Sequence, residues 1–180
     1  MRKVLQLLGV LDETDVAWMA RHGNRQFVEA GTELIRDSEP IQWFYILLDG
    51  ELAVLTRSPE NKQIARLRPG EVVGEMSFVD SRPPSASVIA LTRSWLLAIP
   101  RQLLSTQLTK DTAFAARFYR SIAMFLSDRL RVTVSRLGYG NPRQDEDSDE
   151  LPESSLDDIS LAAVRFDKML RKLRGEYKPD

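Results

Sequence analysis

The chain has 180 residues, 43% of them apolar, with 25 basic and 26 acidic residues and a formal net charge of −1. That is enough for one domain with a real core plus a short extension, and it leaves no global field to draw the protein to nucleic acid or to an anionic membrane. The absence of cysteine and the single histidine, His22, exclude disulfides, thiolate nucleophiles and multi-histidine metal sites; no catalytic constellation is visible, so an enzyme is not expected.

The first ten residues are basic and then apolar, but Gln6 interrupts the run and Asp12 closes it. This is too short for a signal segment or a membrane span, and a soluble, cytoplasmic protein is expected. Residues 2–9 and 12–22 read as two short helices. Asp12 is a helix N-cap with Asp15 three residues on, a capping-box pattern with Asp in place of Glu, and Gly23-Asn24 stops the second helix. From residue 25 the period changes to that of strands. Residues 26–36 read as two short strands around Gly31, and 42–48 as an apolar, aromatic strand. Asp49-Gly50 is a strong hairpin signal, returning as a strand over 51–56. A further strand over 62–67 ends at Pro69-Gly70, and strands over 87–92 and 94–99 follow. Many short strands with regular turn chemistry predict an antiparallel jelly-roll barrel, a mainly β fold.

Between these strands, residues 68–90 compress a turn, an apolar run, Gly74-Glu75, a short helical turn and the Pro83-Pro84 corner. Gly74 permits close approach of the backbone to a ligand. Glu75 sets a carboxylate beside the free N–H groups of a helix start, which suits a ligand carrying hydroxyls and phosphate. An ordinary strand, corner and strand is the competing reading.

Pro100 opens a helix running to about Leu108. Asp111 or Thr109 caps a long helix over about 111–137. Its apolar residues form two sets: Phe114, Phe118, Ile122 and Phe125, and Ala115, Tyr119, Leu126, Leu130, Val134 and Leu137. A helix apolar on two sides has two partners, here the barrel and a second copy of the chain, which predicts a homodimer through 111–137. Gly138 to Pro142 ends the helix. Residues 144–164 hold eight acids and no Lys or Arg, and 141–155 read as an acidic flexible linker. An amphipathic helix is expected over 156–174. Leu156, Ile159, Ala163, Phe166, Leu170 and Leu173 recur at 3-4 spacing, and Leu156, Ile159, Phe166, Leu170 and Leu173 are the candidate partner-binding residues. An isolated helix of this length is marginal in water, so it needs its own body, a dimer mate or another protein.

These motifs together resemble the cyclic nucleotide-binding domain family, of the catabolite-activator and kinase-regulatory-subunit type, over roughly residues 5–137. The carriers are the segment Tyr45 to Val54, the run Leu67-Arg-Pro-Gly-Glu-Val-Val-Gly-Glu-Met-Ser-Phe78, and Pro83 with Ser85-Ala-Ser-Val88. The resemblance implies a domain over 1–140, with Glu75 on a ribose 2′-hydroxyl and Gly74, Met76 and Ser77 lining the site. Ser85 and Ala86 would supply phosphate-side amides, with Ser87 within reach of a phosphate or base. The implied ligand is cyclic AMP or cyclic GMP, with no other cofactor and no metal. The family's phosphate-binding arginine falls on Pro84, which has neither cation nor N–H. Loss of such a charged hydrogen bond costs about 1.5–3 kcal/mol, roughly tenfold to more than a hundredfold in affinity. Arg82 is the nearby candidate to replace it.

Three functions compete. The first is a regulatory module that senses a nucleotide-like ligand, weakly or atypically, and relays it through the long helix and tail. The second is a ligand-free barrel that acts as a protein-interaction scaffold through its C-terminal helix. The third is a transcription regulator, disfavoured because the forty residues after the long helix are acidic and hold one clear helix. No nucleic-acid partner is expected.

Overall fold

The computed structural model describes residues 9–56 and 62–136, together with 164, 165, 167, 168 and 171 of the tail. The expected helix over 2–9, the linker over 141–155 and the candidate residues Leu156, Ile159, Phe166, Leu170 and Leu173 lie outside the described residues, apart from the end of the first at Gly9.

Helix α1 (Glu13–His22) begins as the sequence requires. Asp12 accepts from the Asp15 N–H and Asp15 accepts from the Asp12 N–H, a reciprocal capping box. The strands are β1 (Asn24–Val28), β2 (Glu33–Ile35), β3 (Trp43–Asp49), β4 (Leu52–Leu55), β5 (Gln63–Leu67) and β6 (Val72–Val73). The short helix α2 (Glu75–Asp80) leads to β7 (Ser87–Ala90) and β8 (Ser94–Pro100), and then α3 (Arg101–Lys110) and α4 (Thr112–Arg136) follow. Pro100 is the N-cap of α3 rather than its first residue. Asp111 is the cap that starts α4, accepting from the Phe114 N–H at 2.9 Å.

The strands form two antiparallel four-stranded sheets, ordered β1-β8-β3-β6 and β2-β7-β4-β5. This is the jelly-roll fold, flanked by helices, with no pairing among the described residues that closes the two sheets into the expected barrel. Asp49-Gly50 does not make the expected hairpin. It carries the chain from β3 in one sheet to β4 in the other. Gly50 has φ +94°, and a Cβ there would lie 2.6 Å from the Arg93 carbonyl oxygen, so this crossing accepts only glycine. β1 and β2, adjacent in sequence, likewise belong to different sheets.

β3 reads as a continuous apolar run because both of its faces are covered. Phe44, Ile46 and Leu48, with Leu97 and Ile99 of β8, face a cluster built by α1, α3 and α4. Tyr45 and Leu47, with Leu96 and Ala98, join Leu52, Leu67, Val88 and Ala90 of the other sheet. On α4 the first apolar set, Phe114, Phe118, Ile122 and Phe125, is at most 1% exposed. Phe118 lies 5.5 Å, ring to ring, from both Phe44 of β3 and Phe78 of α2. The long helix is thus packed against the sheet and against the corner over the candidate site. Of the second set, Ala115 and Leu126 are half-buried while Tyr119, Leu130 and Val134 are exposed. No helix among the described residues is long and apolar enough to cross a membrane.

Candidate functional site

Gly74 turns the chain from β6 into α2. Its φ is +89°, and a Cβ would stand 3.0 Å from the Trp43 carbonyl oxygen, so a side chain here meets both backbone strain and a backbone wall. The turn directs Glu75 inward, where it is 3% exposed. Ser77 is also buried, while Met76 stays exposed. Past α2, Ser81 is left-handed at φ 60°, and the chain crosses Pro83-Pro84 into β7. The Pro84 carbonyl accepts from the Ser38 N–H at 2.9 Å, which ties this corner to the loop before β3.

Together these residues enclose a cavity of about 230 Å³. Gly74, Glu75, Met76, Ser77, Arg82, Ser85 and Ala86 all line it, as does Pro84. Ser87 lies outside the lining, and its hydroxyl accepts from the Asp37 N–H at 3.1 Å. The walls are mostly aliphatic, from Ile35, Ile41, Val54, Leu67, Val73 and Val88. Arg82 borders the cavity but keeps 84% of its side chain in solvent, with its Nε 3.9 Å from Asp80, and its N–H donates to the same carboxylate.

Sequence reasoning missed Arg129. From α4 its Nη1 donates to Glu75 Oε1 at 2.5 Å, and its Nη2 donates to the Val72 carbonyl at 3.2 Å. Its guanidinium also lies 4.3 Å from the centre of the Phe125 ring. The signal was present: Arg129 extends the buried 3-4 series Phe114, Phe118, Ile122, Phe125 by one step, a cation on the packed face of the helix. Burial raises the Glu75 pKa above the ordinary glutamate value, and the attraction of Arg129 offsets this only in part.

A second arginine of α4 reaches the other way. Arg117 holds Asp15 through Nε at 2.6 Å and Nη2 at 2.8 Å, and Nη2 is 2.9 Å from Asp12. The Asp15 hydrogen bond raises the Arg117 pKa further above its already high value. Tail residues meet α1 nearby: Lys168 donates to Glu13 at 2.9 Å, and Arg165 donates to the Gly9 carbonyl at 2.9 Å. Among the described residues no group of three or more His, Cys, Asp or Glu is placed to hold a metal ion.

The jelly roll thus folds a Gly-Glu corner over an aliphatic cavity, with a long helix packed across it. Residues 25–111 match the family model described as the cyclic nucleotide-binding domain, so this segment of the chain is similar to that family. A cAMP-dependent protein kinase regulatory subunit of Yarrowia lipolytica is 35% identical over 68 residues, covering 38% of this chain and 18% of the relative's length. In structure, the chain is similar to a cyclic nucleotide-binding domain from Methylobacillus flagellatus, with TM-score 0.68 and 20% identity over 77% of this chain and 83% of the other. It is also similar to the Thermus thermophilus Catabolite Activator Protein, with TM-score 0.62 and 19% identity over 97% of this chain and 91% of the other. At these identities the structural likenesses speak for the fold.

Proposed function

We propose that the chain is a regulatory, non-catalytic protein that senses a nucleotide-like ligand in the cavity under residues 74–86 and relays its occupancy through α4 to α1 and the tail. The observation that carries this reading is the Glu75–Arg129 pair. The carboxylate best placed for a ligand hydroxyl is already held by the helix that leaves the site. A ligand that takes Glu75 changes what holds Arg129, and this difference in contacts is what a population shift requires. Further along α4, Arg117 contacts Asp15 and Asp12, and beside them Glu13 contacts Lys168. Charged contacts therefore connect the cavity, the long helix, the first helix and the tail.

Cyclic AMP and cyclic GMP are the reference ligands, with affinity reduced by Pro84. Hydrogen exchange with and without millimolar cyclic AMP or cyclic GMP tests the relay. Changed protection in residues 126–136 and 13–22, lost in Arg129→Ala, is the expected result. Binding seen by calorimetry with both segments unchanged would overturn it.

The exposed Tyr119, Leu130 and Val134 support a homodimer formed along α4, the second partner that its apolar pattern calls for. Pro84 favours a second reading, a scaffold that keeps the fold without a ligand and engages a partner protein through its tail helix.

A further inference from the structure

The cavity is electrically balanced. Among the described residues its charged side chains are Glu75, Asp80, Arg82 and Arg129, two of each sign. Glu75 and Arg129 neutralise one another in direct contact. Arg82 lies out in solvent and leans on Asp80. At the corner, Pro84 offers no cation and no N–H, and its carbonyl is engaged by Ser38. The rest of the wall is aliphatic.

A cyclic phosphodiester carries a full negative charge at physiological pH. Inside this cavity it would find Arg129 already paired with Glu75 and the Arg82 side chain out in solvent, and it would share the space with the Glu75 carboxylate, all of which oppose binding. Burial has already raised the pKa of Glu75, so the site disfavours even the buried carboxylate it contains. An uncharged ligand meets neither penalty. Vicinal hydroxyls would donate to Glu75, a carboxylate acceptor with more than one lone pair, and an apolar ring face would rest on Ile35, Val54 and Val88.

Resting on the sensor reading above, we infer that this cavity takes uncharged ribose-bearing ligands of the nucleoside class in preference to cyclic nucleotides. Glu75 provides the recognition, and Pro84 provides the discrimination by withholding the charge that a phosphate needs. Ligand selection of this kind works as much by the group left unpaired as by the contacts made.

Isothermal titration calorimetry on the full chain tests this with adenosine, guanosine, cyclic AMP and cyclic GMP. In the wild type a nucleoside is expected to bind at least about tenfold tighter than its cyclic phosphate. Glu75→Gln should weaken the nucleoside by about tenfold or more. Pro84→Arg should reverse the preference. The corner's bond to Ser38 uses the backbone carbonyl of residue 84, so Pro84→Arg retains it; if that variant fails to fold by circular dichroism, the wild-type ranking alone decides. A wild type that binds either cyclic nucleotide more tightly than both nucleosides overturns the inference and leaves the sensor reading standing. A wild type that binds none of the four overturns both.

Discussion

The first half of α4 and its second half are held by different physics. Up to Phe125 the helix buries four large side chains against β3, β8 and α2, and Arg117 clasps an aspartate that is 2% exposed. Beyond Phe125 the side chains at 130, 132 and 134 are exposed, and Arg129 ties this half to Glu75 and to the Val72 carbonyl. The first half has apolar area and a two-pronged ion pair, while the second is tied through Arg129, which donates to Glu75 and to the Val72 carbonyl at the edge of the cavity. Segments with few buried contacts open at low free-energy cost, so a site that acts on its surroundings gains by being coupled to the second half.

The sharpest way to break this comparison is to weaken the anchored half. Phe118→Ala should cost about 3–5 kcal/mol, since the ring is fully buried among Phe44, Phe78 and Phe114. Urea unfolding followed by circular dichroism measures it, and a loss below about 1 kcal/mol would mean that the core does not hold the helix there. Next comes Arg117→Ala, expected to cost about 1.5–3 kcal/mol by stranding the buried Asp15 carboxylate. Arg117→Lys should recover only part of this, because a single ammonium cannot reproduce the two-pronged bond. An alanine variant with an unchanged urea midpoint would dissolve the distinction between the halves.

The smallest expected effect belongs to the second half and shows in its pH dependence. Burial holds the folded-state pKa of Glu75 above its ordinary 4.5, so over that interval the folded protein keeps a proton that the unfolded chain has released. Stability from this group therefore declines as pH rises from 4.5 through the raised value and is flat above it. Asp12 behaves oppositely. Burial raises its pKa, but the bonds from Thr14 and Asp15 and the charge of Arg117 outweigh burial and leave it below 3.8, so its contribution is lost only in stronger acid. Glu75→Gln should remove the decline above pH 4.5. Equal slopes for wild type and variant in thermal melts from pH 4.5 to 8 would show that Glu75 is not the group responsible.

The parts of the fold legible in the sequence were those fixed within a few residues. The Asp12–Asp15 capping box depends on neighbours three apart, the strand limits follow composition and turns, and Gly74 to Ala86 line one cavity because they are nearly contiguous. Asp49-Gly50 misled because turn chemistry says that the chain bends, not which strand it then pairs with. The requirement for glycine at 50 comes from the Arg93 backbone, a contact across forty-three residues that no local pattern carries. Arg129 was hidden for the same reason: its partner Glu75 lies 54 residues away. Helix α4 was read for its apolar faces, and the cation that continues one of them was passed over.

The Asp15 carboxylate has a mechanical consequence. Its Oδ2 accepts from the Asp12 N–H and from Arg117 Nε, so the atom that starts α1 also pins α4. Phe118, Ile122 and Phe125, each at most 1% exposed, seat the same helix as far as Phe125. Only the arm beyond that seat is left to swing: Arg129 stands four residues out, about 6 Å at 1.5 Å per residue, and Arg136 about 16 Å out. A bend of roughly ten degrees there would move Arg129 by about 1 Å and the far end by about 3 Å. In the sensing proposed above, a contact made or lost at Arg129 would be read as a larger displacement at the helix end.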